Sequence, residues 1–331
     1  MSGSKICKTL SYSQFGKPTE VIECKSIELP TLHKGEALIR MLYANINPSD
    51  LGMIGGSYGK LPDLPAVAGR EGIGVIEEIE GDSCGLGVGD MVRLPEKSGT
   101  WRSHLVTPCK DLLKVPAEIP PEQAATLFIN PPTALMLIES FGDLKPGDWI
   151  IQNAANSSVG TWVIQLAKAK GLKTINIVRR ASLESELKAL GADIVIEENN
   201  DYPKTLKELT GGARPKLALN SIGGESVIRM IKTLGDGGVC VTFGGMVGDL
   251  VRFPTRFLIF NDVTLCGFWM DKWMRTHSKD EIKALYDRVF RQVIDHRIST
   301  PIQSTYALED FAEALNTFSQ PRMGKLLFKG V

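Results

Sequence analysis

The spacing of hydrophobic residues divides the chain into differently patterned segments. Over roughly the first 120 residues, apolar positions alternate with polar ones or form short runs between Gly and Pro, as in EALIRMLYANI, GIGVIEEIEG and GLGVGDMVRL. Alternation with a period of two is typical of strands that bury one face, and Gly and Pro mark the turns between them. We therefore expect a β-rich N-terminal domain with little helix.

The middle of the chain alternates strand and helix patterns. A helix is predicted within PPEQAATLFINPPTALMLIESFG, and the strand candidates that follow are DWIIQNA, KTINIVRR, DIVIEE, PKLALNSIG, GGVCVTFGGM and VTLCGFWM. Between the first two strands, apolar residues fall at helical spacing, namely Val159, Trp162, Val163, Leu166 and Ala167. A βαβα series predicts an α/β fold in which a parallel sheet is covered by helices on both faces.

The C-terminal segment predicts a helix, KDEIKALYDRVFRQVID, and then strand, helix and strand within STPIQSTYALEDFAEALNTFSQPRMGKLLFKG. This segment is too small to form a core of its own, so we expect it to pack on the N-terminal β domain. Residues 1–122 and 273–331 would then form one domain, and residues 123–272 would be inserted as a dinucleotide-binding domain.

Composition excludes several classes of partner. The 331 residues include 38 Lys plus Arg and 38 Asp plus Glu, so no net positive charge attracts nucleic acid or an anionic membrane. No apolar run approaches the ~20 residues that a membrane-spanning helix needs. The six cysteines are scattered without a CxxC pair, which indicates reduced thiols. Because the start MSGSKICKTLSYSQFG lacks signal-peptide and presequence patterns, we expect a cytoplasmic protein.

The segment IIQNAANSSVGTWVIQLAKAKG predicts a strand, a turn of small residues and a helix. Backbone N–H groups in such a turn, together with the positive end of the helix, can bind a pyrophosphate. The usual glycine positions hold Ala155 and Ser157, and only Gly160 remains, so an ordinary strand-to-helix turn is the alternative. Its place at the first strand of the series favours a cofactor site, which would include Asn156, Ser157, Ser158 and Val159.

The second strand of the series ends in IVRRAS, where an NAD enzyme would usually have an acidic residue for the ribose hydroxyls. Arg179 and Arg180 stand there instead. Guanidinium groups suit a 2'-phosphate, so the sequence favours NADPH as the cofactor. Two solvated surface arginines are the alternative.

Nearly the whole chain resembles the medium-chain dehydrogenase/reductases, through GREGIGVIEEIEG followed by GLGVGDMV and through LKPGDWIIQNA. The resemblance implies a GroES-like β-rich catalytic domain with an inserted Rossmann domain. In the zinc-dependent branch, Cys and His precede the Ser-Asp pair and a His stands within GREG. This chain has Asn47, Pro48 and Arg70 at those positions, and Glu71 alone cannot hold the ion, so we expect no metal.

Within the zinc-free branch, the chain is similar to 2-enoyl thioester reductases of the mitochondrial fatty-acid-synthesis type. The similar segments are INPSDLGMIGGSYGKLPDLPAVAGREG, INPPTALMLI, QNAANSSVG, LALNSIGGES, TFGGM and GFWMDKWM. Quinone reductases share the fold but usually have Gly-Gly-Val-Gly where this chain has SSVG. The Arg-Arg pair departs from the Arg-x-Arg arrangement of the enoyl reductases. The resemblance implies that the cofactor is lined by Asn130, Phe243, Gly244, Gly245, Met246, Phe268, Trp269, Met270 and Lys325.

Reduction of an enoyl thioester without a metal needs another group to stabilise the enolate oxygen and supply a proton. A tyrosine hydroxyl, with an ordinary pKa of about 10, stays protonated at neutral pH and can do both. Tyr58 lies between glycines in GGSYGK and matches the tyrosine of the enoyl reductase motif. A half-exposed loop tyrosine is the alternative. Trp269 is expected to form a wall near the nicotinamide or the acyl chain, or to be a core aromatic residue.

Three functions remain open at this point. The first is NADPH-dependent reduction of 2-enoyl thioesters carried on CoA or acyl carrier protein, by hydride transfer to Cβ and protonation assisted by Tyr58. The second is a zinc-independent NADPH:quinone reductase, and the third is an NADPH-binding protein without significant turnover. The resemblance also implies a homodimer.

Overall fold

The computed structural model describes residues 5–246, 250–251 and 253–330. The chain forms two compact units. Unit 1 comprises Met1–Phe128 with Pro301–Val331, and unit 2 comprises Ile129–Thr300. Among the described residues, no helix combines the length and apolar character that a membrane span requires.

The N-terminal part of unit 1 is β-rich. Its strands are β1 (Ile6–Tyr12), β2 (Glu23–Glu28), β3 (Glu36–Asn45), β4 (Ala66–Val67), β5 (Gly72–Glu80), β6 (Met91–Arg93), β7 (His104–Pro108) and β8 (Leu113–Lys114). Its helices are short, and a proline begins each of them: α1 (Pro18–Val21), α2 (Pro48–Ile54) and α3 (Pro121–Ala124). Proline is suited to the first position of a helix because its fixed φ is already helical and no hydrogen bond is lost there.

Unit 2 alternates strands with helices. The helices are α4 (Asn130–Glu139), α5 (Ser158–Ala169), α6 (Glu184–Ala189), α7 (Tyr202–Leu209), α8 (Gly224–Ile231), α9 (Arg256–Phe260), α10 (Met270–Thr276) and α11 (Lys279–His296). The strands are β9 (Trp149–Gln152), β10 (Lys173–Val178), β11 (Ile194–Glu197), β12 (Leu217–Asn220), β13 (Val239–Thr242) and β14 (Thr264–Gly267).

The strands of unit 2 form one parallel sheet in the order β11-β10-β9-β12-β13-β14. All residues of β9 and β12 are buried, as expected for central strands covered on both faces. The strand order reverses its direction between β9 and β12, and ligands of such sheets bind outside the carboxyl ends of the strands at this switch point. The predicted doubly wound α/β fold is confirmed.

The chain then returns to unit 1 with β15 (Ile302–Tyr306), α12 (Phe311–Ser319) and β16 (Lys325–Lys329). Strand β16 pairs antiparallel with β3, where Leu327 lies opposite Asn45. Unit 1 thus contains one sheet of order β2-β1-β4 and a second of order β15-β16-β3-β5-β6-β8, in which β7 also pairs with β3. In the core, the rings of Trp101 and Phe328 meet edge to face at 5.0 Å.

The boundaries of the two units differ from the predicted ones at residues 122 and 273. Contacts group residues 273–300 with unit 2, because α11 packs on α4 and the segment after it is bonded to α5. Trp162 donates its indole N–H to Thr300 at 2.8 Å, and Gln165 bonds Ser299 at 2.8 Å and 3.1 Å. The spacing of hydrophobic residues in α11 shows that the helix buries one face. It does not show which of the two units that face packs against.

Candidate active site

The turn between β9 and α5 in unit 2 has the geometry of an anion-binding turn. Ala154 adopts a positive φ of 47°, and Ser157 caps the helix by accepting a hydrogen bond from the N–H of Gly160 at 3.1 Å. A turn of this kind points backbone N–H groups away from the strand at the positive end of a helix. The turn follows the strand at the switch point of the sheet.

Two further features of the turn fit a bound phosphate. Gly160 lies against the turn so closely that a Cβ there would be 2.5 Å from the carbonyl oxygen of Ala155. The hydroxyl of Ser158 is buried and has no hydrogen-bond partner among the described residues. A buried hydroxyl without a partner costs free energy, and a phosphate oxygen at the helix start would satisfy it. The residues of the turn therefore fit the predicted dinucleotide.

A buried network of polar side chains joins the carboxyl ends of β9, β12 and β13. Asn153 donates to Asn220 at 2.8 Å and to Ser226 at 3.1 Å, and its Oδ1 accepts from the N–H of Ser221 at 2.8 Å. Asn220 in turn donates to the hydroxyl of Thr242 at 3.1 Å. The network fixes the edge of the sheet where the turn between β9 and α5 begins. Sequence analysis did not predict this network. The sequence does contain a sign of it, because polar residues stand at the ends of strands that are otherwise apolar.

Arg179 and Arg180 directly follow β10, the neighbour of β9. Arg179 is exposed and Arg180 is partly buried. An arginine pair at the end of the second strand of the series lies where a Rossmann fold contacts the adenosine ribose. The position of the two arginines agrees with the predicted contact to the 2'-phosphate of NADPH. The contact itself stays a prediction.

The remaining cofactor residues predicted in unit 2 begin a helix or follow a strand. Asn130 is the first residue of α4, and Phe243 to Met246 follow β13. Phe268 follows β14 and lies 6.1 Å from Phe141, edge to face. Trp269 is 37% exposed, so it is not a core residue, and the guanidinium of Arg275 lies 4.6 Å from its ring centroid. Met270 is buried as the first residue of α10.

In unit 1, Asn47, one of the residues at positions that correspond to metal ligands, belongs to a hydrogen-bonded polar cluster around Glu71. Oε2 of Glu71 accepts from Nδ2 of Asn45 and of Asn47, each at 2.8 Å, and Oε1 accepts from the N–H of Phe128 at 2.8 Å. Nζ of Lys325 donates to Oδ1 of Asn47. The three ligand positions hold the amide of Asn47, the proline ring of Pro48 and the guanidinium of Arg70, none of which is a zinc ligand. Among the residues described, no group of three or more His, Cys, Asp or Glu could hold a metal ion.

Lys325 was predicted to line the cofactor, and the structure places it buried in this cluster of unit 1. Burial lowers the pKa of Lys325 to about 8, against the opposing effect of Glu71. Asp50 of α2 is also buried, and its Oδ2 accepts from the N–H of Asn47 at 2.7 Å. Burial, the largest cause, raises the pKa of Asp50 to about 7. The cluster therefore contains two buried groups whose charged forms are destabilised by desolvation.

Tyr58 lies in the segment between α2 and β4, where no strand or helix is present. The side chain is partly buried. A Cβ at Gly52 of α2 would be 3.0 Å from Cβ of Tyr58, so the absence of a side chain at Gly52 lets the tyrosine lie close to the helix. The guanidinium carbon of Arg70 lies 5.1 Å from the centroid of the Tyr58 ring. Arg70 is 5% exposed and forms an ion pair with Glu96.

Comparison with known proteins identifies both units. Residues 33–117 match the alcohol dehydrogenase GroES-like domain, and residues 158–291 match the zinc-binding dehydrogenase family. The chain is 41% identical over 321 residues to the mitochondrial enoyl-acyl-carrier-protein reductase of Rattus norvegicus, and the match covers 95% of this chain and 86% of the relative.

Two solved structures have closely similar folds. The complex of Etr1p with NADP and crotonyl-CoA has a TM-score of 0.89 and 26% identity, with 98% of this chain and 100% of the other covered. A protein from Bacillus thuringiensis described as a putative NADPH:quinone reductase has a TM-score of 0.88 and 26% identity, with 99% and 100% covered.

The predicted cytoplasmic location is wrong, because the curated relatives are mitochondrial proteins. Unpaired cysteines indicate a reducing environment, and that property does not distinguish one reducing compartment from another.

Proposed function

The chain belongs to the medium-chain dehydrogenase/reductase superfamily and, within it, to the family of the mitochondrial enoyl-acyl-carrier-protein reductases, and on this premise we propose how its residues reduce a 2-enoyl thioester. The protein is an NADPH-dependent oxidoreductase that acts on a C=C bond. The observation that carries the proposal is that Tyr58 lies beside Arg70, which stands with Asn47 and Pro48 at positions that correspond to metal ligands and is not a zinc ligand.

Unit 2 would hold the cofactor through residues already described. The N–H groups of the turn and the hydroxyl of Ser158 would bind the pyrophosphate, and Arg179 and Arg180 would bind the 2'-phosphate. Phe268 and Trp269, which follow the last strand of the sheet, would contact the nicotinamide or the acyl chain. Bound NADPH supplies the hydride.

Tyr58 of unit 1 would supply the proton. When Cβ of the substrate gains a hydride, negative charge develops on the thioester oxygen of the resulting enolate. The phenol can hydrogen-bond that oxygen and then transfer its proton to Cα, which leaves a phenolate that takes a proton from water. The sum of the two transfers adds one hydride and one proton across the double bond, so charges and atoms balance without a metal.

A quinone is the competing acceptor, because a structure of similar fold is described as a putative NADPH:quinone reductase. A quinone can collect protons from water after it has been reduced, so its reduction does not require Tyr58. The two acceptors therefore make different demands on the same site.

One assay separates the possible functions. NADPH oxidation is followed with crotonyl-CoA and with a benzoquinone under the same conditions, and zinc is measured in the purified protein. The proposal expects turnover of crotonyl-CoA without stoichiometric zinc. Turnover of the quinone alone would support a quinone reductase, and NADPH binding without turnover of either acceptor would support a non-enzymatic role. Activity that is lost on removal of bound zinc would overturn the metal-free mechanism.

The carrier of the acyl group is either CoA or acyl carrier protein. A thioester linked to each carrier, with the same crotonyl group, would be compared by kcat/KM. A preference for the protein-linked substrate would show that the enzyme also recognises the carrier surface, because the reacting group is identical in the two substrates.

We also propose that the protein forms a homodimer through the outer edge of unit 2. Within the described part of the chain, β14 pairs only with β13, and α9 just before it exposes Ile259 by 70% and Phe260 by 79%. An edge strand beside exposed apolar residues is a typical interface. Light scattering should give a dimer for the parent and a monomer for Ile259→Ser with Phe260→Ser. Leu209→Ser, at another exposed apolar residue, should remain dimeric. A monomeric parent would contradict this part of the proposal.

A further inference from the structure

We propose that Arg70 is a positioning residue that holds the ring of Tyr58 in the orientation required for proton transfer. The inference rests on the function proposed above for Tyr58. It assigns a role to Arg70, which stands at a position that corresponds to a metal ligand. In this role Arg70 fixes the phenol group of Tyr58, which stabilises the enolate and donates the proton in the absence of a metal.

The first observation is the contact between the two side chains. The guanidinium carbon of Arg70 is 5.1 Å from the centroid of the Tyr58 ring. A cation within about 6 Å of an aromatic face is attracted by the electron density of the ring. Tyr58 lies in a segment without regular secondary structure, so contacts of its side chain contribute to its orientation. Gly52 limits the position of the tyrosine Cβ from the side of α2.

The second observation is that Arg70 is itself fixed. The side chain is 5% exposed and forms an ion pair with Glu96. The carboxyl group of Asp50 also interacts electrostatically with Arg70. An arginine remains charged at all relevant pH values, so the cation near the ring is permanent. A buried and paired guanidinium has little freedom, and a ring that packs on it shares this restriction.

The fixed cation has a second consequence for the reaction. Proton transfer to the substrate leaves negative charge on the phenol, and a neighbouring guanidinium stabilises that charge. Arg70 would therefore affect the rate of the chemical step and leave NADPH affinity unchanged. If Arg70 only neutralised Glu96, its replacement would change stability without a specific effect on kcat.

The test compares kcat with crotonyl-CoA, KM and the Kd for NADPH in four variants. Arg70→Met should lower kcat by about tenfold to a hundredfold, since small errors in the position of a reacting group have effects of this size. The Kd for NADPH should stay within about twofold of the parent. Arg70→Lys keeps the charge and should restore most of kcat. Arg70→Met alone leaves the carboxylate of Glu96 without its ion-pair partner, which could impair folding. Arg70→Met combined with Glu96→Gln removes both charges of the pair and should show the same loss of kcat. Arg40→Met, which breaks the Arg40–Glu77 pair of the same unit, is the matched control and should leave kcat unchanged.

The decisive comparison uses the Tyr58→Phe background. There the phenol proton is absent, so Arg70→Met should cause no further loss of kcat, and the two substitutions should be strongly non-additive. An Arg70→Met variant as fast as the parent, or a loss that is fully additive with Tyr58→Phe, would overturn the inference. Full activity of Tyr58→Phe alone would instead overturn the role of Tyr58 in the proposed function, so the two failures are distinguishable.

Discussion

Nζ of Lys325, the first residue of β16, donates a hydrogen bond to Oδ1 of Asn47, the residue before α2. The two residues are separated by 278 positions in the chain and are both buried. Asn47 is also bonded to Glu71, so an amide links an ammonium to a carboxylate inside unit 1.

The buried cluster predicts that stability depends on pH through Asp50. Burial raises the pKa of Asp50 from 3.8 to about 7, so the folded protein binds a proton there more tightly than the unfolded chain does. Between about pH 4 and pH 7 this group makes the free energy of unfolding fall as the pH rises, by at most about 1.4 kcal/mol per pH unit. Lys325 stays protonated in both states over this range, because its pKa is lowered only to about 8.

Urea unfolding at several pH values between about 4.5 and 7 checks this dependence on the parent and on Asp50→Asn. The variant keeps an oxygen to accept from the N–H of Asn47 and has no proton to lose, so its stability should fall less over the range. Asp63→Asn, at an exposed aspartate, should follow the parent. Identical pH profiles for the parent and Asp50→Asn would contradict the prediction.

The proposed role of the turn between β9 and α5 in cofactor binding predicts a strict requirement for glycine at position 160. A Cβ there would be 2.5 Å from the Ala155 carbonyl oxygen and 2.8 Å from its Cα, so the backbone of the turn would have to move. Gly160→Ala should weaken NADPH binding and lower stability by about 1–3 kcal/mol, as overpacking typically does. Binding is measured by fluorescence titration and stability by urea unfolding.

Gly235→Ala is the matched control for this substitution. Its Cβ would meet the nearest side-chain atom, Cβ of Arg214, at an ordinary 3.4 Å, so NADPH affinity should not change. Unaltered NADPH binding by Gly160→Ala would show that the turn does not need its present shape for the cofactor.

The arginines after β10 predict the preference between the two dinucleotides. Arg179→Ala or Arg180→Ala should weaken NADPH binding by about 1.5–3 kcal/mol for each charge-assisted hydrogen bond that the substitution removes. The affinity for NADH should change little, because NADH lacks the 2'-phosphate. Isothermal titration with both dinucleotides measures the difference. If neither substitution changed the Kd for NADPH, both arginines would be ordinary surface charges.

We expect Tyr58→Phe to lower the rate of NADPH oxidation by an amount that depends on the acceptor. The ring and its packing against Gly52 and Arg70 remain, and only the hydroxyl is removed. With crotonyl-CoA, kcat should fall by about a hundredfold or more, as for the loss of an oxyanion donor or general acid. Reduction of a benzoquinone, if the parent supports it, should persist. A Phe variant as fast as the parent on crotonyl-CoA would remove Tyr58 from the mechanism.

The residues that sequence analysis predicted best are those whose environment is local. Apolar runs such as WIIQ in β9 and LALN in β12 identify buried parallel strands because both faces are covered, and the turn that follows β9 is readable from its small residues. The end of the inserted unit was less predictable. The hydrophobic face of α11 packs on α4, and the sequence of α11 alone does not identify α4 as the helix it contacts.

The polar cluster of unit 1 could not be predicted, because it is assembled from distant parts of the chain. Lys325 stands in an apolar strand pattern, and its bond to Asn47 follows only from the pairing of β16 with β3. The interaction of Arg70 with Tyr58 likewise depends on how a segment without regular structure is placed. The sequence shows that Lys325 and Arg70 are present, but only the fold shows that they contact Asn47 and Tyr58.

The transfer of hydride to Cβ is tested most directly by isotope labelling. The protein is incubated in ordinary water with crotonyl-CoA and NADPH that carries deuterium at both C4 positions, and the butyryl-CoA formed is analysed by NMR and mass spectrometry. Enoyl thioester reduction as proposed here predicts one deuterium at Cβ and none at Cα, because Cα receives its proton from Tyr58. Deuterium at Cα, a product without deuterium, or no butyryl-CoA would contradict it.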